Sequence, residues 1–186
     1  YPSRRIEAWK YTDLRRQLRE APMPSGEAVV TGGGPFEALG GDEIAFANGR
    51  AVGAEAFVAS GVQTLRLRFV SDAAGTGHTA SVKIAARPGA RLLLLESHEG
   101  IGGDYVAHNR IDIDVAAGAE VTRIVLVEEP AEAISVTDID VKVAPGAVYR
   151  QTTVTTGGKL QRQATTVTHG GEAAEVRLDG LYTLSD

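Results

Sequence analysis

SVKIAARPGA at residues 81–90, RIDIDVAAGA at 110–119 and DIDVKVAPGA at 138–147 are three copies of one pattern. In each copy apolar residues alternate with other residues, and a glycine follows three places after the last apolar residue of the run. The glycines are 29 and 28 residues apart (118 − 89 and 146 − 118). Strict two-residue alternation predicts strands with one buried face and one solvent face. The Gly-Ala step predicts a corner into the next strand.

Each corner leads into a second apolar run, and the three runs are Leu92–Leu95, Val121–Val127 and Val148–Val154. A fixed period of this length is typical of repeat architectures, in which stacked units bury a column of side chains that no single unit could bury. We therefore predict an all-β fold, a right-handed parallel β-helix with a short N-terminal helical segment. An antiparallel sandwich or double-stranded barrel is the alternative, and the in-register spacing favours the β-helix. A weaker fourth unit is predicted to turn at Gly170.

The segment before the repeats contains the predicted helix. Ile6, Trp9, Leu14 and Leu18 have roughly helical spacing, and prolines at 22 and 24 end the pattern. Trp9 and Ile6 are expected to pack onto the body of the protein. We assign residues 1–40 to an N-terminal helical segment and connector, and residues 41–186 to a β-helix core truncated at its C-terminal end.

Two further local patterns lie between the helical segment and the repeats. Asn48-Gly49 predicts a tight hairpin turn, because both residue types tolerate a positive φ. Alternating apolar residues over Val62–Val70 predict a strand.

Composition excludes several classes of function. Nineteen basic against 24 acidic residues give a net charge of −5, which does not favour a nucleic-acid partner. The absence of cysteine excludes disulfides, thiolate metal sites and cysteine nucleophiles within this chain. The longest apolar runs are too short to span a bilayer, so no membrane partner is expected. The chain does not open as a secretory signal peptide does, and a cytoplasmic location is expected.

The densest group of candidate ligands is Glu96-Ser97-His98-Glu99. It lacks the His-x-His of a cupin metal site, and we interpret it as polar residues at a strand's end, where the chain leaves the core. The pairs Asp112/Asp114 and Asp138/Asp140 alternate with Ile and Val, so they are expected to face solvent. Phosphate-loop and dinucleotide-binding motifs are absent. We therefore predict no catalytic, cofactor-binding or metal-binding residue in this chain.

Four stretches resemble the SufD family, which belongs to the Suf (SufBCD) iron–sulphur cluster assembly complex. The specific one is PSRRIEAWKYTDL at residues 2–14, and the supporting ones are AFANGR at 45–50, LLESHEG at 94–100 and VRLDGLY at 176–182. SufD proteins are considerably longer, so the resemblance is to their N-terminal and central part only. A short N-terminal segment and the lack of cysteine favour SufD over the related SufB.

The resemblance implies a β-helical core with a helical N-terminal segment, in agreement with the repeat pattern. It implies a SufB-like partner subunit, and a SufC-like ATPase bound through a region absent here. It also implies that the assembled complex handles the iron–sulphur cluster, so no cofactor is expected in this chain alone. The expected function is that of a non-enzymatic scaffold subunit in iron–sulphur cluster assembly.

The alternatives are a carbohydrate-active or metal-dependent enzyme on a β-solenoid or cupin-like barrel, and a plain binding module. An enzyme should bring His98, Glu96 or the aspartate pairs together in a concave pocket, whereas a scaffold should disperse them on solvent faces. If the rungs continue past Asp186, the last unit ends on an open face. Self-association through that open C-terminal edge, around Val176 and Leu178, is then expected.

Overall fold

The computed structural model of the chain describes residues 9, 12 and 14–183. The described part contains a short helix α1, Leu14–Gln17, a 3-10 turn, Glu37–Leu39, and thirteen strands. The strands are β1 Met23–Pro24, β2 Asp42–Ala47, β3 Arg50–Val52, β4 Ala56–Ala59, β5 Val62–Ser71, β6 Thr76–Ala86, β7 Arg91–Gly100, β8 Val106–Val115, β9 Glu120–Glu129, β10 Ile134–Val143, β11 Val148–Gly157, β12 Leu160–His169 and β13 Glu175–Thr183. No helix of this described part is long and apolar enough to cross a membrane.

The long strands form two parallel sheets between which the chain alternates. One sheet, called here the even sheet, has the order β1-β6-β8-β10-β12, with β4 also paired to β6. The odd sheet has the order β13-β11-β9-β7-β5-β2-β3. Because each strand from β5 to β11 pairs in parallel with the strand two places further along the chain, each repeat forms one rung of a solenoid. The predicted all-β parallel β-helix is confirmed.

Register between rungs aligns the repeats that the sequence shows. Val82, Ile111 and Ile139 are Cα partners on β6, β8 and β10, and each is at most 1% exposed. The next inward column, Ile84, Ile113 and Val141, is buried to the same extent. A one-residue slip would turn every one of these side chains outward, so the apolar columns fix the register.

All four predicted corners lie where the sequence places them. Gly89, Gly118 and Gly146 have φ values of 72°, 68° and 69°, a conformation that glycine adopts without steric cost. The fourth corner begins at the predicted Gly170, because β12 ends at His169 and β13 begins at Glu175. Its positive φ of 59° falls on Ala173, three residues further along the chain.

The predicted hairpin and strand are both present. Asn48 and Gly49 have φ values of 46° and 80° and connect the antiparallel strands β2 and β3. The Asn48 side chain donates to Asp72 Oδ1 at 2.6 Å and accepts from the Asp72 N–H at 3.0 Å, which ties the turn to the neighbouring rung. The strand predicted over Val62–Val70 is β5.

The N-terminal segment packs on the outside of the even sheet. Leu14 is 8% exposed and contacts Ile134 and Val136, and Trp9 packs against the same cluster. The Arg162 guanidinium lies 4.4 Å above the Trp9 ring, a cation–π contact. The expected packing of Trp9 is therefore confirmed. Helix is described only over α1, and Ile6 lies outside the described residues.

Candidate functional site

A buried ion pair lies between the two sheets. Arg123 on β9 and Glu96 on β7 are each 0% exposed. Arg123 donates from Nε to Glu96 Oε2 at 2.8 Å and from Nη2 to Oε1 at 2.7 Å, a two-point contact that holds both planar groups. Strand alternation places both side chains inward, because Arg123 follows the core residue Val121 by two and Glu96 follows the core residue Leu94 by two.

The interpretation of Glu96-Ser97-His98-Glu99 as the end of a strand is wrong. β7 continues to Gly100 because β5 and β9 pair with it along this stretch. Alternation therefore carries Glu96 and His98 into the interior, at 0% and 2% exposure. Glu99 faces outward, where it accepts from Arg68 Nε at 2.9 Å and Nη2 at 2.8 Å.

His98 extends the ion pair toward the aromatic core. Its Nε2 lies 2.8 Å from Glu96 Oε1, which makes Nε2 the protonated donor. The ring stacks on Phe69 with centroids 4.9 Å apart, and Phe69 stacks on Phe46 at 5.3 Å. On its other edge His98 Nδ1 lies 3.5 Å from Asn109 Nδ2 of the even sheet.

Gln151 and Tyr149 extend the pair in the other direction. Arg123 Nη1 donates to Gln151 Oε1 at 2.7 Å, and the Tyr149 hydroxyl donates to the same oxygen at 2.7 Å. Gln151 Nε2 in turn lies 3.3 Å from Thr165 Oγ1 on β12. We call the connected side chains the central network: Glu96, His98, Asn109, Arg123, Tyr149 and Gln151. It joins three successive strands of the odd sheet to the even sheet.

Both charges of the pair are stabilised inside the solenoid. Burial alone raises the pKa of Glu96, but the Arg123 charge and the His98 hydrogen bond lower it to about 2. Burial alone lowers the pKa of Arg123, and the Glu96 carboxylate raises it above its ordinary value. The carboxylate is therefore ionised at neutral pH. Each charge depends on the other, because neither reaches water.

A second polar cluster, which the sequence analysis missed, lies at the corner between β9 and β10. Glu129 is 8% exposed and accepts hydrogen bonds from Ser135 Oγ at 2.6 Å and from the Tyr105 hydroxyl at 3.2 Å. Gln161 Nε2 adds a third donor at 3.2 Å. Burial, together with the Glu129 carboxylate, raises the pKa of the Tyr105 hydroxyl. Three donors from three rungs thus satisfy one buried carboxylate.

The aspartate pairs face solvent, as predicted. Arg110 Nη2 lies 3.0 Å from Asp112 and 2.6 Å from Asp140, and Lys142 Nζ lies 3.9 Å from Asp114. All these side chains lie on the outer face of the even sheet and are at least 29% exposed. They form a ladder of exposed ion pairs, a type of contact that contributes little stability.

The histidines do not converge on one site. His78 lies 3.1 Å from both Ser25 Oγ and Ser71 Oγ, and burial lowers its pKa. His108 pairs with Asp138 on the outer face at 2.9 Å, and His169 is exposed at the end of β12. Among the described residues, no group of three or more His, Asp or Glu side chains is placed to hold a metal ion.

The positions of Glu96, His98 and the aspartate pairs match neither the expectation for an enzyme nor the expectation for a scaffold in full. Glu96 and His98 do converge, so the expectation that a scaffold would disperse them on solvent faces is wrong for these two residues. They meet in the closed interior rather than in a concave pocket, and the side-chain atoms of Glu96 and Arg123 hydrogen-bond to each other and to their neighbours in the network. The arrangement can couple rungs mechanically, but it offers no side chain to a substrate.

The last rung presents its inward face to solvent. Val176, Leu178 and Tyr182 are the Cα partners of the buried Tyr149, Gln151 and Thr155. They are 37%, 48% and 65% exposed, whereas their partners are at most 7% exposed. In the part of the chain that the structure describes, no strand pairs with the outer edge of β13. We call these three side chains the open rung.

Comparison with known protein families identifies the family of the core. A family model described as SUF system FeS cluster assembly, SufBD core domain, matches residues 69–186. The match begins in β5 and covers the central network, the Tyr105–Glu129 cluster and the open rung. A search of curated proteins and a search of solved structures each return no significant match.

Proposed function

The chain belongs to the SufBD core family of the Suf system for iron–sulphur cluster assembly, and from that premise we propose that it is a non-enzymatic scaffold subunit. It acts in a complex with a SufB-like subunit and a SufC-like ATPase. As a SufD-type subunit it supplies a rigid body and a docking surface, and the assembled complex handles the iron–sulphur cluster.

The observation that supports a scaffold most strongly is the closure of the central network. Glu96 and Arg123, the residues with the most potential for chemistry, are fully buried and hold each other. Catalytic acids and bases need contact with a substrate, directly or through a single water. Buried charges that are fully paired instead favour one arrangement of neighbouring elements over others, here the register of β7, β9 and β11.

The open rung supports the proposed partner contact. Its apolar side chains continue a buried column, and its strand has a free edge among the described residues. Such an edge is a template for pairing with another strand. For this 186-residue chain we propose that a SufB-like subunit covers β13 and packs on Val176, Leu178 and Tyr182. Without that subunit, two copies of this chain are expected to associate through the same rung.

Anaerobic reconstitution tests the proposed function. The chain alone should bind iron weakly and without fixed stoichiometry, because it contains no cysteine and its histidines are scattered. The complex with a SufB-like subunit and ATPase should acquire a cluster with a defined absorbance and iron count. A stoichiometric, chelator-resistant cluster on this chain alone would contradict the scaffold role.

A further inference from the structure

Two polar side chains inside the last rungs have no partner within the described protein. Thr137 on β10 is 0% exposed, and its Oγ1 makes no hydrogen bond to a described residue. On β12 both amide atoms of Gln163, Oε1 and Nε2, are buried and equally unpartnered. A buried polar group that is left without a partner destabilises the folded chain. Three such atoms together therefore require an explanation.

The three atoms belong to one column. Thr137 is the Cα partner of Gln163 on one side and of Asn109 on the other. Paired strands lie about 4.8 Å apart, so the side chains of Thr137 and Gln163 are direct neighbours along the solenoid axis. Asn109 belongs to the central network, and the column therefore continues that network toward the open rung.

Polar side chains also lie across the solenoid from Gln163. Gln163 lies three residues after Leu160, the first residue of β12. Three residues before Gly157, the last residue of β11, is Val154, and Thr153 and Thr155 stand on either side of it. The same count places Thr152 across from Thr165, and Gln151, the residue before Thr152, donates to Thr165 Oγ1 at 3.3 Å. Thr153 and Thr155 are 3% and 4% exposed, so the strand that precedes β12 carries buried hydroxyl groups on its inward face at this level.

The chemistry of the unpartnered atoms selects the ligand. Gln163 Nε2 needs an acceptor and Oε1 needs a donor, and exchanging the two atoms by an amide flip leaves both needs unmet. A cation cannot accept a hydrogen bond from Nε2, and an anion cannot donate one to Oε1. Water does both, and buried waters in proteins typically bind two to four polar groups.

We propose that Thr137 and Gln163 form a binding site for buried water inside the solenoid. The Thr137 hydroxyl and the Gln163 amide hold the water, which links β10 to β12 in place of the side-chain contacts present in the apolar columns. The site extends the central network, and it does not depend on the proposed function.

Magnetic relaxation dispersion of water nuclei counts long-lived internal waters and tests this site directly. The wild-type chain should hold at least one such water, and Thr137→Val, which replaces the hydroxyl by a methyl group, should lower the count. The same variant should lower the urea midpoint of unfolding by about 0.5 M, since a water-bridged hydrogen bond is lost. Thr152→Val on the exposed outer face of β11 is the control and should change neither quantity.

Two results would overturn the proposal. If the wild-type chain shows no long-lived internal water, the site is dry. If Thr137→Val raises the urea midpoint of unfolding and leaves the water count unchanged, the Thr137 hydroxyl binds no water. Its removal then stabilises the folded chain because a buried, unpaired polar group is lost. Should Thr137→Val fail to fold, Gln163→Met provides the same comparison from the other side of the site.

Discussion

Replacing Arg123 with methionine is expected to lower the free energy of unfolding by about 3–5 kcal/mol, because the Glu96 carboxylate is then left buried without its counter-charge. Both side chains are 0% exposed, so water cannot take the place of the guanidinium. The substitution also removes the donor to Gln151 and with it a link between β9 and β11. Urea unfolding followed by circular dichroism measures the effect.

Arg110→Met is the matched control for this substitution. Arg110 also contacts two carboxylates, Asp112 and Asp140, but its side chain is 53% exposed, so its loss should lower the free energy of unfolding far less than the loss of Arg123. The double variant Arg123→Met with Glu96→Leu should recover much of the loss, since it leaves no unpaired charge. If Arg123→Met is as stable as Arg110→Met, the account of the central network is contradicted.

The pH dependence of the stability of Arg123→Met gives an independent check of the Glu96–Arg123 ion pair. The pKa of Glu96 is about 2 in the folded chain, below its ordinary value of 4.5. The stability that Glu96 contributes is therefore present above about pH 4.5 and is lost as the pH falls toward 2. In Arg123→Met the buried carboxylate has no counter-charge, and protonation relieves its penalty. The difference in stability between wild type and variant should narrow as the pH is lowered from 7 to 3.

Leu178→Asp is expected to weaken association through the open rung roughly a hundredfold or more, because an unpaired charge in a buried contact costs several kcal/mol. Val176→Lys should act in the same direction. Sedimentation at several concentrations measures self-association, and titration with a SufB-like subunit measures the heterologous contact. Each variant changes a side chain that is already exposed in the chain alone, so folding should be retained.

Leu181→Asp is the control for the open rung. Leu181 is on the same strand and is 58% exposed, but it is the Cα partner of Val154 and points to the outer face. The substitution Leu181→Asp should therefore leave association through the open rung nearly unchanged. Equal effects of Leu178→Asp and Leu181→Asp would show that the contact does not depend on the inward face of β13.

Much of the fold could be predicted from the sequence because the repeat pattern is local. Alternation in 81–90, 110–119 and 138–147 identifies the strands, and the glycines identify three corners. At the fourth corner, which begins at Gly170, the positive φ falls on Ala173, because glycine is only one way to reach a positive φ. At Ala173 the hydrogen bonds to the preceding rung determine the position of the turn, and that register cannot be read from one residue type.

The central network could not be predicted in the same way. Glu96 and Arg123 are 27 residues apart, about one repeat, and their contact depends on which residues of adjacent rungs pair. The length of β7 is determined by its neighbours β5 and β9, so a polar run that suggested a strand's end lies within the strand. One signal was available: Arg123 occupies an inward position between Val121 and Val125, where a charge requires a buried partner.

Hydrogen exchange at β13 tests the central claim, that the chain is an assembly subunit whose open rung is covered by its partner. The backbone amides of Glu175–Thr183 should exchange much more slowly when the chain is bound to a SufB-like subunit than when it is alone, because a covering strand occupies the free edge. Amides of β9 should change little, since β7 and β11 already flank that strand. Complex formation that leaves exchange in Glu175–Thr183 unchanged would contradict the claim.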